Sequence, residues 1–172
     1  MLRTYRKPLV VLTPKSLLRH PDATSSMDSL LMGIFREVLY DRRIKNNEEV
    51  TRVVFCTGKI FYEAQKARDE QTPGKIAIVR IEQLYPYPES QVQEVFRRYP
   101  NAKEFVWLQE EPENMGALRY MEDRIEEQLP SYAKFKTIAR PESPSPAEGL
   151  MKMHTKQQAD LVNKSLSADL FA

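Results

Sequence analysis

The chain has 172 residues, enough for a single domain to bury roughly 70% of its unfolded surface without a disulfide or a structural metal. Its 26 basic and 24 acidic residues nearly cancel, which argues against a nucleic-acid partner, since that would require a clustered basic face. One cysteine and two histidines exclude an internal disulfide, match no zinc spacing and suit a reducing compartment.

The N-terminus reads Met-Leu-Arg-Thr-Tyr-Arg-Lys-Pro and then Leu9-Val10-Val11-Leu12. The start is basic like a signal n-region, but four apolar residues fall short of the about 7–15 of an h-region. No run approaches the ~20 apolar residues of a membrane helix. A protein inside the cell is expected: cytoplasmic in a bacterium, or in the mitochondrial matrix of a eukaryote.

The run from Leu9 to Leu12, closed by Pro14, predicts a buried strand. Lys15 to Arg19 predicts one helical turn, and His20 to Ser29 a polar loop leading to a short helix. Phe35 to Tyr40 predicts an edge strand, and Asp41 to Glu49 an exposed charged loop. Arg52 to Cys56 predicts a strand, Thr57-Gly58 a turn, and Lys59 to Glu70 a helix with Ile60, Ala64 and Ala67 on one face. Thr72-Pro73-Gly74 stops that helix, and Ile76 to Ile81 is the next strand. A strand, a helix and a strand in this order imply a βαβ unit with parallel pairing and a right-handed crossover.

The pattern repeats. Pro86 and Pro88 bracket a turn, and Val92, Val95, Phe96 and Tyr99 mark an amphipathic helix ended by Pro100-Asn101. Phe105 to Leu108 predicts a strand, Asn114 to Leu129 a helix, Lys134 to Ala139 a strand, and Lys152 to Leu166 a terminal helix. Residues 1–7 and 167–172 are expected as extended termini. The expected fold is a single α/β domain spanning 1–172, with an open, mostly parallel sheet of about five strands and helices on both faces.

In such sheets ligands bind outside the carboxyl ends of the strands. Four segments lie there: Thr13 to Ser16, Thr57-Gly58-Lys59, Gln83 to Tyr87, and Gln109 to Pro112. Lys59 at a helix start could meet a phosphate, although one glycine in a βα turn is far from a phosphate-loop motif and usually serves turn geometry alone. Glu110 and Glu111 are adjacent in a strand and point to opposite faces, so they cannot readily serve one substrate as acid and base. His20 and His154 lack a nucleophile arrangement and read as structural, and Cys56 reads as a small buried residue. Tyr85, Tyr87, Tyr99 and Trp107 read as core and interface residues. No catalytic residue and no metal ligand is identified.

Six ordered segments carry a family resemblance. They are Arg-Lys-Pro-Leu-Val-Val-Leu-Thr-Pro-Lys-Ser-Leu-Leu-Arg-His (6–20), Val-Val-Phe-Cys-Thr-Gly-Lys-Ile-Phe-Tyr (53–62) and Ile-Ala-Ile-Val-Arg-Ile-Glu-Gln-Leu-Tyr-Pro-Tyr-Pro (76–88). The others are Val-Trp-Leu-Gln-Glu-Glu-Pro-Glu-Asn-Met-Gly (106–116), Ala-Arg-Pro-Glu-Ser-Pro-Ser-Pro-Ala-Glu-Gly (139–149) and His-Thr-Lys-Gln-Gln (154–158). Together they resemble the C-terminal, transketolase C-terminal-like domain of the E1 component of 2-oxoglutarate dehydrogenase.

The resemblance implies a module of a thiamine diphosphate- and magnesium-dependent decarboxylase of the TCA cycle, inactive by itself and with no cofactor of its own. The implied partners are the upstream E1 catalytic domains, a second E1 subunit of a homodimer and the E2 succinyltransferase complex, with neither nucleic acid nor membrane. Arg3, Tyr5, Arg6 and Lys7 read as mid-domain, so the chain is expected to continue upstream. Glu110, Glu111, Met115 and Gly116 are the expected interface.

Related enzymes bind acetyl-CoA in this domain, in a pocket whose residues correspond to Thr13, Lys59, Gln109 and Arg140. Asp28 and Pro141 stand where that pocket has arginines, so weak or absent acetyl-CoA binding is expected. The alternatives are a nucleotide- or acyl-CoA-sensing module anchored on Lys59 and Arg140, or a small independent enzyme of flavodoxin-like architecture.

Overall fold

A computed structural model describes residues 7–8, 10–31, 33–72 and 74–171, and the chain divides into two units, Met1–Ile34 and Phe35–Ala172. In the first unit a 3-10 turn, Lys15–Arg19, follows Pro14, and helix α1 spans Met27–Leu31. The Ser26 hydroxyl accepts from the Ser29 amide at 3.2 Å and so satisfies one free donor at the helix start. The strand expected at the N-terminus is absent from the described residues: Val10, Val11 and Leu12 are 80%, 70% and 95% exposed and belong to no strand. A strand requires a neighbouring backbone, and these residues make no backbone hydrogen bond to another described residue. Leu9 and the residues Arg3, Tyr5 and Arg6 lie outside the described residues.

The second unit is built on one five-stranded sheet in the order β1-β3-β2-β4-β5. Its strands are β1 (Val38–Leu39), β2 (Arg52–Cys56), β3 (Ile76–Ile81), β4 (Glu104–Pro112) and β5 (Lys134–Arg140). All pairs are parallel except β1 with β3, so the expected edge strand is present and antiparallel, though only two residues long. Strands β2 and β3 occupy the predicted residues. β4 runs four residues past Leu108 because its register with β5 shifts between Leu108 and Pro112, which keeps the longer chain paired through a bulge.

Helices α2 (Ile60–Gln71), α3 (Glu89–Arg98), α4 (Leu118–Glu126) and α5 (Met151–Leu166) cover both faces. Gly74, at φ +83°, turns the chain after α2, while Pro73 lies outside the described residues. The helix expected from Asn114 starts only at Leu118, because Gly116 sits at φ +68° and interrupts helical geometry. The terminus expected to be extended instead forms a 3-10 turn at Ala168–Phe171, with the Arg52 guanidinium 5.4 Å from the Phe171 ring.

One core lies under α3 and α4, where Val53, Phe55, Val79, Phe105 and Trp107 meet Val92, Val95, Phe96, Met121 and Ile125. The opposite core lies under α2 and α5, where Val54, Cys56, Ile78, Val106, Leu108 and Ile138 meet Ile60, Ala64, Leu161 and Leu166. Alternation along each strand creates the two sets.

The charged stretch beginning at Asp41 is not wholly exposed. Asp41 is buried, and its carboxylate accepts from Arg68 Nη1 at 2.7 Å and from the Ile78 amide at 2.9 Å. Arg68 follows Ala64 by one turn on the sheet-facing side of α2, so its charge enters the interior and needs a counter-charge there.

Candidate functional site

The strand order fixes where a site can form. The connection from β2 passes through α2 to β3 on one side, and that from β4 passes through α4 to β5 on the other. The sheet therefore reverses its winding between β2 and β4, and in such sheets ligands bind beyond the carboxyl ends of the strands at that switch point.

Lys59 stands on the β2 side of that switch point. Gly58, at φ +70°, makes the turn, and Lys59 caps α2 with its ammonium 3.2 Å from Glu63 Oε1 one turn on. On the β4 side Gln109 and Glu110 point to opposite faces. Gln109 shares the α3/α4 face with Trp107, whose indole Nε1 donates to Gln109 Oε1 at 3.2 Å. The Gln109 amide nitrogen donates to the carbonyls of Pro112 and Met115 at 3.1 and 2.9 Å. It is buried and holds the strand-end loop closed. Met115 and Gly116 are wrapped around it, and a Cβ on Gly116 would lie 3.0 Å from Gln109 Oε1.

Glu110 faces α5 and joins a polar cluster at the end of β5. Arg140 is only 5% exposed. Its Nη2 donates to Gln158 Oε1 at 2.8 Å and to His154 Nδ1 at 3.1 Å. A guanidinium can only donate, so His154 Nδ1 accepts. Gln158 Nε2 in turn donates to Glu110 Oε2 at 2.9 Å, which links the carboxylate to the arginine through a neutral amide. Arg140 Nε is buried without a partner, and no ion pair to Arg140 forms among the described residues.

Beside Arg140 the Pro/Ser loop closes a cavity of about 170 Å³, lined by Pro112, Arg140, Pro141, Ser143 and Gln157. Asn114 holds that loop through both of its amide atoms, which bond the Ser143 carbonyl and amide at 3.0 and 3.2 Å.

Thr13 is exposed and belongs to the first unit, as does Asp28 in α1. Lys59, Gln109 and Arg140 all sit at strand ends, but among the described residues no hydrogen bond or ion pair joins any two of them. Of the expected interface set, Glu110 is engaged within the unit, Glu111 and Met115 are half-buried and Gly116 is exposed. Gln158 went unnoticed in the sequence. Its signal was helical spacing, since His154, Gln158, Leu161 and Ser165 fall on one face of α5. Among the described residues no group of three or more His, Cys, Asp or Glu side chains could hold a metal ion, and no helix is long and apolar enough to cross a membrane.

Comparison with known proteins places this geometry. The family described as 2-oxoglutarate dehydrogenase C-terminal matches residues 24–166. A 2-oxoglutarate dehydrogenase E1 component of Haemophilus influenzae is 43% identical over 166 residues, covering 96% of this chain and 18% of the relative. That of Cupriavidus necator is 41% identical over 97% of this chain and 18% of its own length. A 2-oxoadipate dehydrogenase complex component E1 of Xenopus laevis is also 41% identical, with the same two shares. The chain spans less than a fifth of the length of these relatives.

Proposed function

Because this chain belongs to the 2-oxoglutarate dehydrogenase C-terminal family, we propose that it serves as the C-terminal structural and regulatory domain of a 2-oxoglutarate dehydrogenase E1 subunit. The observation that carries the reading is the near-complete match of this chain to under a fifth of each E1 relative. Decarboxylation of 2-oxoglutarate then belongs to the longer subunit, as do its homodimer partner and the E2 succinyltransferase. Thiamine diphosphate with its magnesium is held by the upstream domains. The described residues here include no cluster of carboxylates or histidines suited to a diphosphate-bound metal, so no step is assigned to this domain. Glu111, Met115 and Gly116, with Glu110 behind them, form the proposed contact with the rest of the subunit.

The isolated 172-residue chain is expected neither to bind thiamine diphosphate nor to release CO2 from 2-oxoglutarate, while a full-length E1 chain carrying it does both. Measurable decarboxylation by the 172-residue chain overturns the assignment.

A second reading is favoured by Arg140, a buried guanidinium with an unpartnered Nε beside a cavity. It makes the domain a sensor of an anionic nucleotide or acyl-CoA, with Arg140 and Lys59 as anchors. The cavity is smaller than the ~300 Å³ at which small-molecule pockets begin, so it fits a phosphate group rather than a whole nucleotide. Acetyl-CoA is therefore expected to bind weakly or not at all, and micromolar affinity by calorimetry overturns that expectation. Any thermal stabilisation by phosphate or nucleotide should vanish in Arg140→Met.

A further inference from the structure

We propose that Ser145 is a phosphorylation site whose phosphate docks on the Arg140 guanidinium. The inference goes beyond the sensor reading above and rests on its premise that Arg140 anchors a phosphate. Three observations carry it.

The first is the loop ahead of α5. It contains Ser143-Pro144 and Ser145-Pro146, and a serine followed at once by proline is the dipeptide that proline-directed protein kinases take. Proline also keeps the residue before it out of helical geometry, which suits the extended peptide such a kinase grips. Ser145 is exposed, and its hydroxyl bonds only within its own turn, donating to the Ala147 carbonyl at 2.9 Å and accepting from the Ala147 amide at 3.4 Å. Ser143 is the poorer acceptor: it is half-buried, its hydroxyl takes the Ser145 amide, and Asn114 pins its backbone.

The second is the receptor. Ser145 lines the same cavity as Arg140, which is buried, forms no ion pair among the described residues and leaves Nε without a partner. A buried charged donor without a counter-charge is costly, and a phosphoserine supplies both the charge and the acceptor oxygens. Gln157 Oε1, on the same wall, is also buried without a partner, and a half-turn of its amide presents Nε2 to a phosphate oxygen.

The third is the balance of charge. Glu142 and Glu148 also line the cavity and repel a dissolved anion. A phosphate tethered through Ser145 meets Arg140 at an effective concentration of about millimolar, so attachment overcomes a repulsion that free phosphate does not. In the transfer the γ-phosphorus of a nucleoside triphosphate bonds to Ser145 Oγ and its bond to the β-phosphate oxygen breaks. The hydroxyl proton passes to the kinase's carboxylate base, and a nucleoside diphosphate leaves.

The modification is tested on full-length E1 purified from its source cells, by mass spectrometry of the peptide holding residues 141–149. A fraction phosphorylated on Ser145 is expected, and its absence from growing and starved cells alike overturns the site.

The docking is tested on the 172-residue chain made with phosphoserine at position 145. Its Tm should rise by about 4 °C over the unmodified chain. By phosphorus NMR the phosphate should titrate about one pH unit below the same group in the urea-unfolded chain. Both effects should vanish in Arg140→Met. Should that variant not fold, the Nε proton resonance of Arg140 in the parent chain decides, since phosphorylation should move it more than that of any other arginine. An unshifted titration, or a shift that survives Arg140→Met, overturns the docking. So does an equal Tm rise of the unmodified chain in about 10 mM inorganic phosphate, which makes a free anion the occupant. Failure of nucleotide to stabilise the unmodified chain removes the sensor reading alone.

Discussion

Gly116→Ala isolates the packing that shapes the end of β4. The backbone there has φ +68°, where an alanine costs about 1 kcal/mol from its Cβ alone. The added Cβ would also lie 3.0 and 3.1 Å from the two amide atoms of Gln109 and 3.2 Å from Glu111 Cβ. Gln109 cannot swing aside freely, because its amide accepts from Trp107 Nε1 and donates to the Pro112 and Met115 carbonyls. Moving it weakens about two of these bonds, at about 1 kcal/mol each, for a total near 3 kcal/mol.

Urea unfolding of the 172-residue chain measures this. Gly58→Ala and Gly74→Ala are the controls, since both have positive φ with nothing within 4 Å of the added Cβ, and should cost only about 1 kcal/mol. In a Gln109→Ala background the clash with Gln109 disappears and only the 3.2 Å contact with Glu111 Cβ remains, so Gly116→Ala should cost little more than about 1 kcal/mol, a coupling of about 2. A Gly116→Ala cost within about 0.5 kcal/mol of the Gly58→Ala control refutes the clash. So does a coupling below about 0.5 kcal/mol.

The buried ion pair gives a second test. Asp41→Asn keeps the shape but removes the buried one of the two carboxylates on Arg68, leaving Asp69 2.7 Å from its Nε, and should destabilise by about 2–3 kcal/mol in the same assay. The double replacement Asp41→Leu with Arg68→Met should cost less than Asp41→Asn alone, because no buried charge is then left. A third test concerns Cys56, whose thiol burial pushes up to about 12 from an ordinary 9.0. It should react with a thiol reagent at pH 8 only as fast as the chain unfolds. The unfolded thiol ionises from about 9 while the folded one keeps its proton to about 12. Stability is therefore fully present below pH 9 and falls by about 1.4 kcal/mol per pH unit as the pH rises between those values. Cys56→Ala should flatten that part of the pH–stability curve; an unchanged slope rejects the cause.

Wherever an element buries a contiguous apolar pattern within this unit, the sequence was enough to find it. Val53 to Cys56 and Ile76 to Ile81 are apolar on both faces, and both faces are covered by helices, so pattern and structure coincide to the residue. Polar partnerships were harder to see. Asp41 opens a charged stretch and carries no mark of burial, since its partner Arg68 is 27 positions away and meets it only after α2 docks. Gln158 likewise binds residues on two strands, and only its place on the buried face of α5 hinted at that. The strand-end positions of Lys59, Gln109 and Arg140 were legible because strand ends were. Which partners each side chain takes was not, because Gln109 bonds the loop carbonyls of Pro112 and Met115 and Arg140 bonds residues of α5, contacts set only once those segments dock.

The N-terminal run is the instructive failure. Pattern rules report that a segment can be buried on both faces, and they are silent about whose sheet buries it. Val53 to Cys56 and Val10 to Leu12 are alike in composition and differ only in having neighbours here: the first lies between β3 and β4, the second beside no strand among the described residues. A pattern that succeeds at four parallel strands and fails at a fifth shows that an apolar run specifies a buried strand only together with the strands that flank it.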